Sequence, residues 1–274
     1  MKRSASLALL ALLALLAGGW SGGGLVAQER ERVEEWLRAC RDHESRYARH
    51  CEIREYTLPA GASALRVDAG PNGSIHVAAY EGREVRVIAK VQVQARSESD
   101  VQEMAEDVRV EIDGRSIRST GPRMQGRRSW AVSYDVYSPG STDLSLSSTN
   151  GSLTVEGITG DLDLETTNGS IRLGGVAGTV RAETTNGSIA AVLGGNRWSG
   201  RELDLETTNG GIRLTVPEGF SADLDASTTN GGIEVDFPVT VRGRISRQIS
   251  GKLGDGGPPI RLRTTNGGIA IRKA

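Results

Sequence analysis

From Asp143 to the carboxyl terminus, apolar and polar positions alternate strictly around one repeated dipeptide. Asn-Gly followed by Ser or Gly and then Ile or Leu occurs seven times, at Asn72, Asn150, Asn168, Asn186, Asn209, Asn230 and Asn266, with separations of 78, 18, 18, 23, 21 and 36. Six and four residues before the later asparagines stand apolar pairs such as Leu162 and Leu164 or Leu203 and Leu205. Three and five residues after them stand pairs such as Ile171 and Leu173 or Ile212 and Leu214. The intervening residues are charged, polar or small. This period of two predicts strands with one buried and one wet face. The unit is roughly 18 to 21 residues long, clearest in Asp161–Gly178: strand, tight turn, strand, glycine-rich turn. The gap of 36 contains Ser250-Gly251, read as a degenerate turn that splits it into 20 and 16.

Two folds satisfy this pattern. Asn-Gly favours a two-residue hairpin, which would give an antiparallel meander or sandwich. In a parallel β-solenoid, each unit is instead one coil, and equivalent strands of successive coils pair. A hairpin needs a suitable turn but not the same one each time, whereas Thr-Thr-Asn-Gly recurs nearly verbatim. Stacking every ~4.8 Å would let Thr hydroxyls and Asn amides form ladders, which supplies a reason for identity. The expected fold is therefore all-β: a right-handed β-helix-like solenoid with a short amino-terminal helix and an irregular cap. Asparagine and glycine are expected to supply positive φ in the turns.

The TTNGSI and TTNGGI turns, with a leading copy at Pro71–Val77, resemble those of bacterial "putative adhesin" domains of unknown function built on repeated Asn-Gly β-coils. The resemblance runs from about Tyr56 to Ile271. It takes in EGREVRVIAKVQVQA, a helical insert at Ser99–Val108 and the entry VSYDVYSPG. It implies a secreted or envelope-anchored β-helix, and no catalytic residues to carry over.

Upstream, Lys2 and Arg3 precede an apolar run, Leu7–Ala17, and then small residues, the order of a secretory signal peptide with cleavage expected after Ala27. The run is about half the length that spans a bilayer, so no transmembrane segment is expected after cleavage. The mature chain is expected in the periplasm, on the cell surface or outside the cell. Val33, Trp36, Leu37 and Cys40 form a helical stripe. In an oxidising compartment Cys40 and Cys51 read as one disulfide. A continuous helix would hold them about 16 Å apart, so the helix should end near Arg41–Glu44, with a strand, Cys51–Leu58, returning beside it. A metal site from Cys40, His43, His50 and Cys51 is the competing reading. The expected divisions are 1–27 (signal), 28–58 (helix and linked strand) and 59–274 (solenoid, with cap and first coils at 59–142 and regular repeats at 143–274).

Composition narrows function mainly by exclusion. Glycine numbers 36 of 274 residues, aromatics make up 4%, and the formal net charge is −1; this balance gives no reason to expect a nucleic-acid partner. Phosphate-loop and nucleophile motifs are missing, and no cofactor is implied. Four turns match N-x-S, which their structural role already explains. Glu165, Glu183 and Glu206 would stack as three carboxylates, making a divalent cation conceivable, with Arg172 and Arg213 placed to neutralise them. Arg118, Arg123, Arg127 and Arg128 form a basic loop able to touch a polyanion. The expected function is a non-enzymatic envelope or cell-surface scaffold or adhesin, binding an envelope protein or a glycan through a lateral face that includes Glu165, Arg172, Glu183, Glu206 and Arg213. A lyase-like enzyme acting on polysaccharide and an envelope stress or signalling accessory are the alternatives.

Overall fold

The computed structural model describes residues 23–42, 46–236, 240–241 and 247–274. Most of the expected signal segment, residues 1–22, lies outside the described residues, as does His43. Helix α1 (Gly23–Arg41) contains the expected cut after Ala27 and carries its half-buried stripe of Val33, Trp36 and Leu37 up to buried Cys40. It stops at Arg41, and Cys40 is bonded to Cys51 with their Cα atoms 6.3 Å apart. Strand β1 (Ala48–Pro59) begins three residues before Cys51 rather than at it. Its leading residues already pair antiparallel with β4 (Glu84–Ala95), Ala48 opposite Ala95 and Cys51 opposite Gln92.

The regular body is a parallel solenoid in which each coil gives one strand to each of two facing sheets. Among the described residues eight coils can be traced. In spatial order they are β6 (Ser116–Thr120) with β7 (Ser129–Pro139), β2 (Leu65–Asp68) with β3 (Ile75–Tyr80), and β8 (Leu144–Ser148) with β9 (Leu153–Glu156). Next come β10 (Thr159–Asn168) with β11 (Ile171–Gly174), β12 (Ala177–Asn186) with β13 (Ile189–Val192), and β14 (Gly200–Asn209) with β15 (Ile212–Val216). Last are β20 (Pro259–Asn266) with β21 (Ile269–Lys273), and β16 (Ala222–Asn230) with β17 (Ile233–Val235). The strands flanking each Asn-Gly pair with neighbouring coils and not with each other, which removes the hairpin alternative.

The alternation explains the core. Ile75, Leu153, Ile171, Ile189, Ile212 and Ile269 stack in one column, each at most 1% exposed. Leu144, Leu162, Val180, Leu203 and Ile260 stack opposite them in the other sheet. Burying each larger side chain contributes roughly 1.5–3 kcal/mol. Because the stacked residues are similar in shape, the column is filled by branched aliphatic side chains rather than by aromatic ones.

Coil order departs from chain order at both ends. At the amino-terminal end β6 and β7 lie outside β2 and β3, although they follow them in the chain. At the other end the last coil, β20 and β21, is inserted between β14/β15 and β16/β17. Charge accounts for the insertion. Arg261 bonds Glu202 at 2.6 Å and Arg263 bonds Asp204 at 3.1 Å. If β16 lay directly on β14, Leu224 would meet Leu203, and Asp225 would meet Asp204, a like-charge pair that destabilises strand pairing. Arg261 instead pairs in register with both aspartates.

This arrangement corrects the reading of Ser250-Gly251 as a turn. Both residues lie inside β19 (Gln248–Leu253), which runs antiparallel to β16 and also pairs with β18 (Thr240–Val241). Strands β19 and β18 thus add an antiparallel pair at the edge of the sheet beyond β16. The opposite end is covered by α2 (Glu98–Asp107), capped by the Ser97 hydroxyl accepting from the Asp100 amide, with Val101, Met104 and Ala105 buried against β1 and β4. Beside it, β5 (Arg109–Asp113) runs antiparallel to β6. Covered ends are what a repeat array requires. No helix among the described residues is long and apolar enough to cross a membrane.

Candidate functional site

All seven turn asparagines form one ladder, exposed from Asn150 onward and half-buried at Asn72. From Asn150 onward each Nδ2 donates to the Oδ1 of the coil before it in the stack: Asn150 to Asn72 at 3.2 Å, Asn168 to Asn150 at 2.7 Å, Asn186 to Asn168 at 2.8 Å and Asn209 to Asn186 at 2.9 Å. The interleaved order continues through Asn266 to Asn209 at 2.8 Å and Asn230 to Asn266 at 2.9 Å. Asn72 donates to the Trp130 carbonyl at 3.0 Å. Behind this ladder runs a second row of bonds. Thr166, Thr184, Thr207, Thr264 and Thr228 are buried, and each hydroxyl donates to the glycine carbonyl of the adjacent turn at 2.8–2.9 Å.

The reason for glycine differs from the one expected. No asparagine has positive φ, and the glycines of the Asn-Gly pairs from Gly151 onward do not occupy the left-handed region. Close stacking excludes a side chain instead. A Cβ on Gly187 would lie 1.9 Å from the Gly169 carbonyl oxygen, and one on Gly210 would lie 2.0 Å from that of Gly187.

The solenoid presents two lateral faces of different character. The sheet containing β10, β12 and β14 turns outward Asp161, Asp163, Glu165, Arg181, Glu183, Glu202, Asp204 and Glu206. Glu165, Glu183 and Glu206 are in direct register, as their spacing implied. Within it, Arg181 bonds Glu183 at 2.9 Å and Arg201 lies 3.7 Å from Asp161. Arg172 and Arg213 are not on this face. The turn sends positions three before and four after each asparagine to opposite sheets, so these arginines cannot neutralise the glutamate row. They occupy the other face in register with Ala190, and the five residues expected on one binding face are divided three and two.

That second face carries a cluster at its amino-terminal end that sequence reasoning missed. Asp135, His76, Thr154 and Arg172 stand in one cross-strand row on β7, β3, β9 and β11. Lys90 Nζ lies 2.6 Å from Asp135, and the two His76 ring nitrogens lie 3.9 Å from Asp135 and 3.7 Å from Glu156. His76 could be indexed to this row from Asn72, but β7 has no Asn-Gly, so Asp135 could not. Beyond it α1 docks. Buried Glu29 pairs with Arg86, and Arg32 and Arg86 both sit over the Tyr137 ring.

The remaining candidates hold local partners. With Cys40 and Cys51 joined, neither is a thiolate ligand, and His50 faces Glu52 at 3.4 Å. In the basic loop region Arg118 pairs with Asp68, Arg128 with Asp100, and Arg127 with Tyr47. The Asp100 carboxyl is held below its usual range, chiefly by the Arg128 hydrogen bond. Burial pushes the Tyr134 and Tyr137 phenols up to about 12, so neither loses a proton near neutral pH.

No curated protein matches the chain. Solved structures similar to it include a "putative cell adhesion protein" of Clostridium sporogenes, 14% identical, covering 83% of this chain and 100% of its own, with a TM-score of 0.48. Another is a "putative adhesin" of Bacteroides fragilis, 10% identical, covering 82% and 97%, with a TM-score of 0.36. The toastrack DUF4097 sequence pattern matches residues 69–272, from the turn before Asn72 to the last strand. This chain belongs to the toastrack DUF4097 family.

Proposed function

We propose that the protein is an exported, non-enzymatic scaffold of the bacterial envelope, acting as an adhesin or structural element that holds a glycan or another envelope protein along its lateral faces. The observation that carries this reading is the distribution of exposed chemistry. Side chains recur in rows along the solenoid axis, one per coil, where an enzyme would gather acids and bases in a cleft. The disulfide suits an oxidising compartment. Rigidity supports the same reading: both end coils are interleaved, so the faces are held by contacts that span much of the chain.

The test is a pair of measurements on the purified mature chain. It is expected to turn over neither acidic nor neutral polysaccharides, and to capture a partner from envelope extracts. Capture should weaken in graded steps as Glu165, Glu183 and Glu206 or Arg172 and Arg213 are neutralised as sets, because exposed ionic contacts contribute only about 0–1 kcal/mol each. Polysaccharide turnover abolished by His76→Ala would overturn this reading and move the function to the Asp135–His76–Glu156 cluster.

A further inference from the structure

We infer that the face formed by β11, β13, β15 and β21 binds a linear anionic glycan with a carboxylate on every second sugar, gripped by Arg172 and Arg213. This rests on the lateral-face reading above and names its ligand.

Three observations converge on it. The outward residues of β11, β13 and β15 are Arg172, Gly174, Ala190, Val192, Arg213 and Thr215, so the only charges on this stretch are two positive ones. Neither arginine has an ion-pair or hydrogen-bond partner among the described residues. On the opposite sheet, by contrast, Arg181, Arg201, Arg261 and Arg263 each face a carboxylate. Around Arg213 the surface sinks into an open trough of about 390 Å³ that runs over β13, β15, β21 and β17, floored by Ala190, Gly211, Gly268 and Ala270, flanked by Ser188 and bounded at its far end by Glu234 and Arg272. With almost no side chain on the floor, a sugar ring can approach the backbone, and Val192, 52% exposed, offers an apolar edge for its carbon face. The trough ends at Arg272, whose charge is already taken up by Glu234 at 2.5 Å and Asp236 at 2.7 Å.

Spacing selects the ligand. Arg172 and Arg213 are separated by one intervening strand, or about 9.6 Å at ~4.8 Å per strand. That distance matches one disaccharide of an extended glycan chain, so an acid on alternate sugars reaches both guanidinium groups. Arginine's planar fork suits carboxylates in bidentate geometry. The acidic rows of β10, β12 and β14 lie on the far side of the solenoid, and the carboxylates on this side stand at its two ends, Glu156 beside His76 and Glu234 bonded to Arg272.

The probe is a short hyaluronate oligosaccharide, in which a uronate alternates with a neutral sugar, titrated calorimetrically into the full mature chain at low salt. Binding is expected, weakening as salt rises. Arg172→Gln and Arg213→Gln should each weaken it about three- to fivefold, and the double variant more than tenfold. Ala190→Tyr, which fills the trough without changing charge, should also weaken it. Arg181→Gln, on the opposite sheet, should leave it unchanged. Absence of binding by folded protein, equal binding of neutral dextran, or equal loss in Arg181→Gln would each overturn the inference. A partner captured instead through Glu165, Glu183 and Glu206 would overturn it while leaving the lateral-face reading standing. Turnover of the oligosaccharide would remove both.

Discussion

A single methyl group placed in one turn separates close coil stacking from the usual account of turn glycines. In Gly187→Ala the new Cβ would stand 1.9 Å from the Gly169 carbonyl oxygen and 2.5 Å from its carbon. Both are backbone atoms, so no side-chain rotation relieves the overlap. Restoring van der Waals distance requires the two turns to separate by about 1.5 Å. Three bonds cross that contact: Asn186 Nδ2 to Asn168 Oδ1 at 2.8 Å, Thr184 Oγ1 to the Gly169 carbonyl at 2.8 Å, and the Gly169 amide to the Asn186 carbonyl at 3.1 Å. Each contributes about 0.5–1.5 kcal/mol, and orphaning the buried Thr184 hydroxyl adds to this, for a total of about 3–5 kcal/mol. Gly194 is the control. It is not in the left-handed region and a Cβ there meets nothing within 4 Å, so Gly194→Ala should be neutral or stabilising by about 0.4–1 kcal/mol. Urea unfolding followed by circular dichroism measures both. A loss below about 1 kcal/mol in Gly187→Ala, or equal effects in the two variants, would refute the reasoning.

Coil order is open to direct test: Thr208→Cys with Thr265→Cys sits on adjacent strands and should form a disulfide on mild oxidation. Thr208→Cys with Thr229→Cys lies two strands apart, about 9.6 Å, and should not; mass spectrometry distinguishes them, and the reverse result contradicts the insertion of β20. Replacing Cys40 and Cys51 by serine should raise hydrogen exchange in α1 while the coils from Asp143 onward stay protected, since repeat stability is mostly nearest-neighbour; exchange rising throughout would contradict this. Tyr134, its phenol raised from 10.0 to about 12 by burial, favours the protonated folded state. Its stabilising contribution is therefore intact below pH 10 and lost between pH 10 and 12, up to about 2.7 kcal/mol for two pKa units. Denaturant midpoints should fall across that window, and less so in Tyr134→Phe.

The strands and the buried set were readable because Leu162, Leu164, Ile171 and Leu173 recur at fixed offsets from a marked residue, and period two leaves one assignment of faces. The ladder was readable for the same reason. Stacking order was not, because near-identical Thr-Thr-Asn-Gly turns allow any coil to sit on any other. The discrimination falls to outward residues such as Arg261 and Arg263, whose partners Glu202 and Asp204 lie 59 residues away in the chain. The lateral faces were half readable: Glu165 and Glu206 index to one row and Arg172 and Arg213 to another. Assigning the two rows to opposite sheets requires following the chain through the turn in three dimensions. Glycine's role was misread because sequence carries conformational preference but not the distance to the next coil's carbonyl.

The central claim, that this solenoid works by holding a partner along its sides, is tested most directly by site-specific photocrosslinking in the producing cell. A photoreactive residue is placed singly at Arg172, Ala190 and Arg213 on one face, at Glu165, Glu183 and Glu206 on the other, and at Arg123 in the loop at the amino-terminal end. The account predicts adducts with an envelope component at successive positions along one face and none at Arg123. Adducts confined to Arg123, with both faces silent, would contradict it.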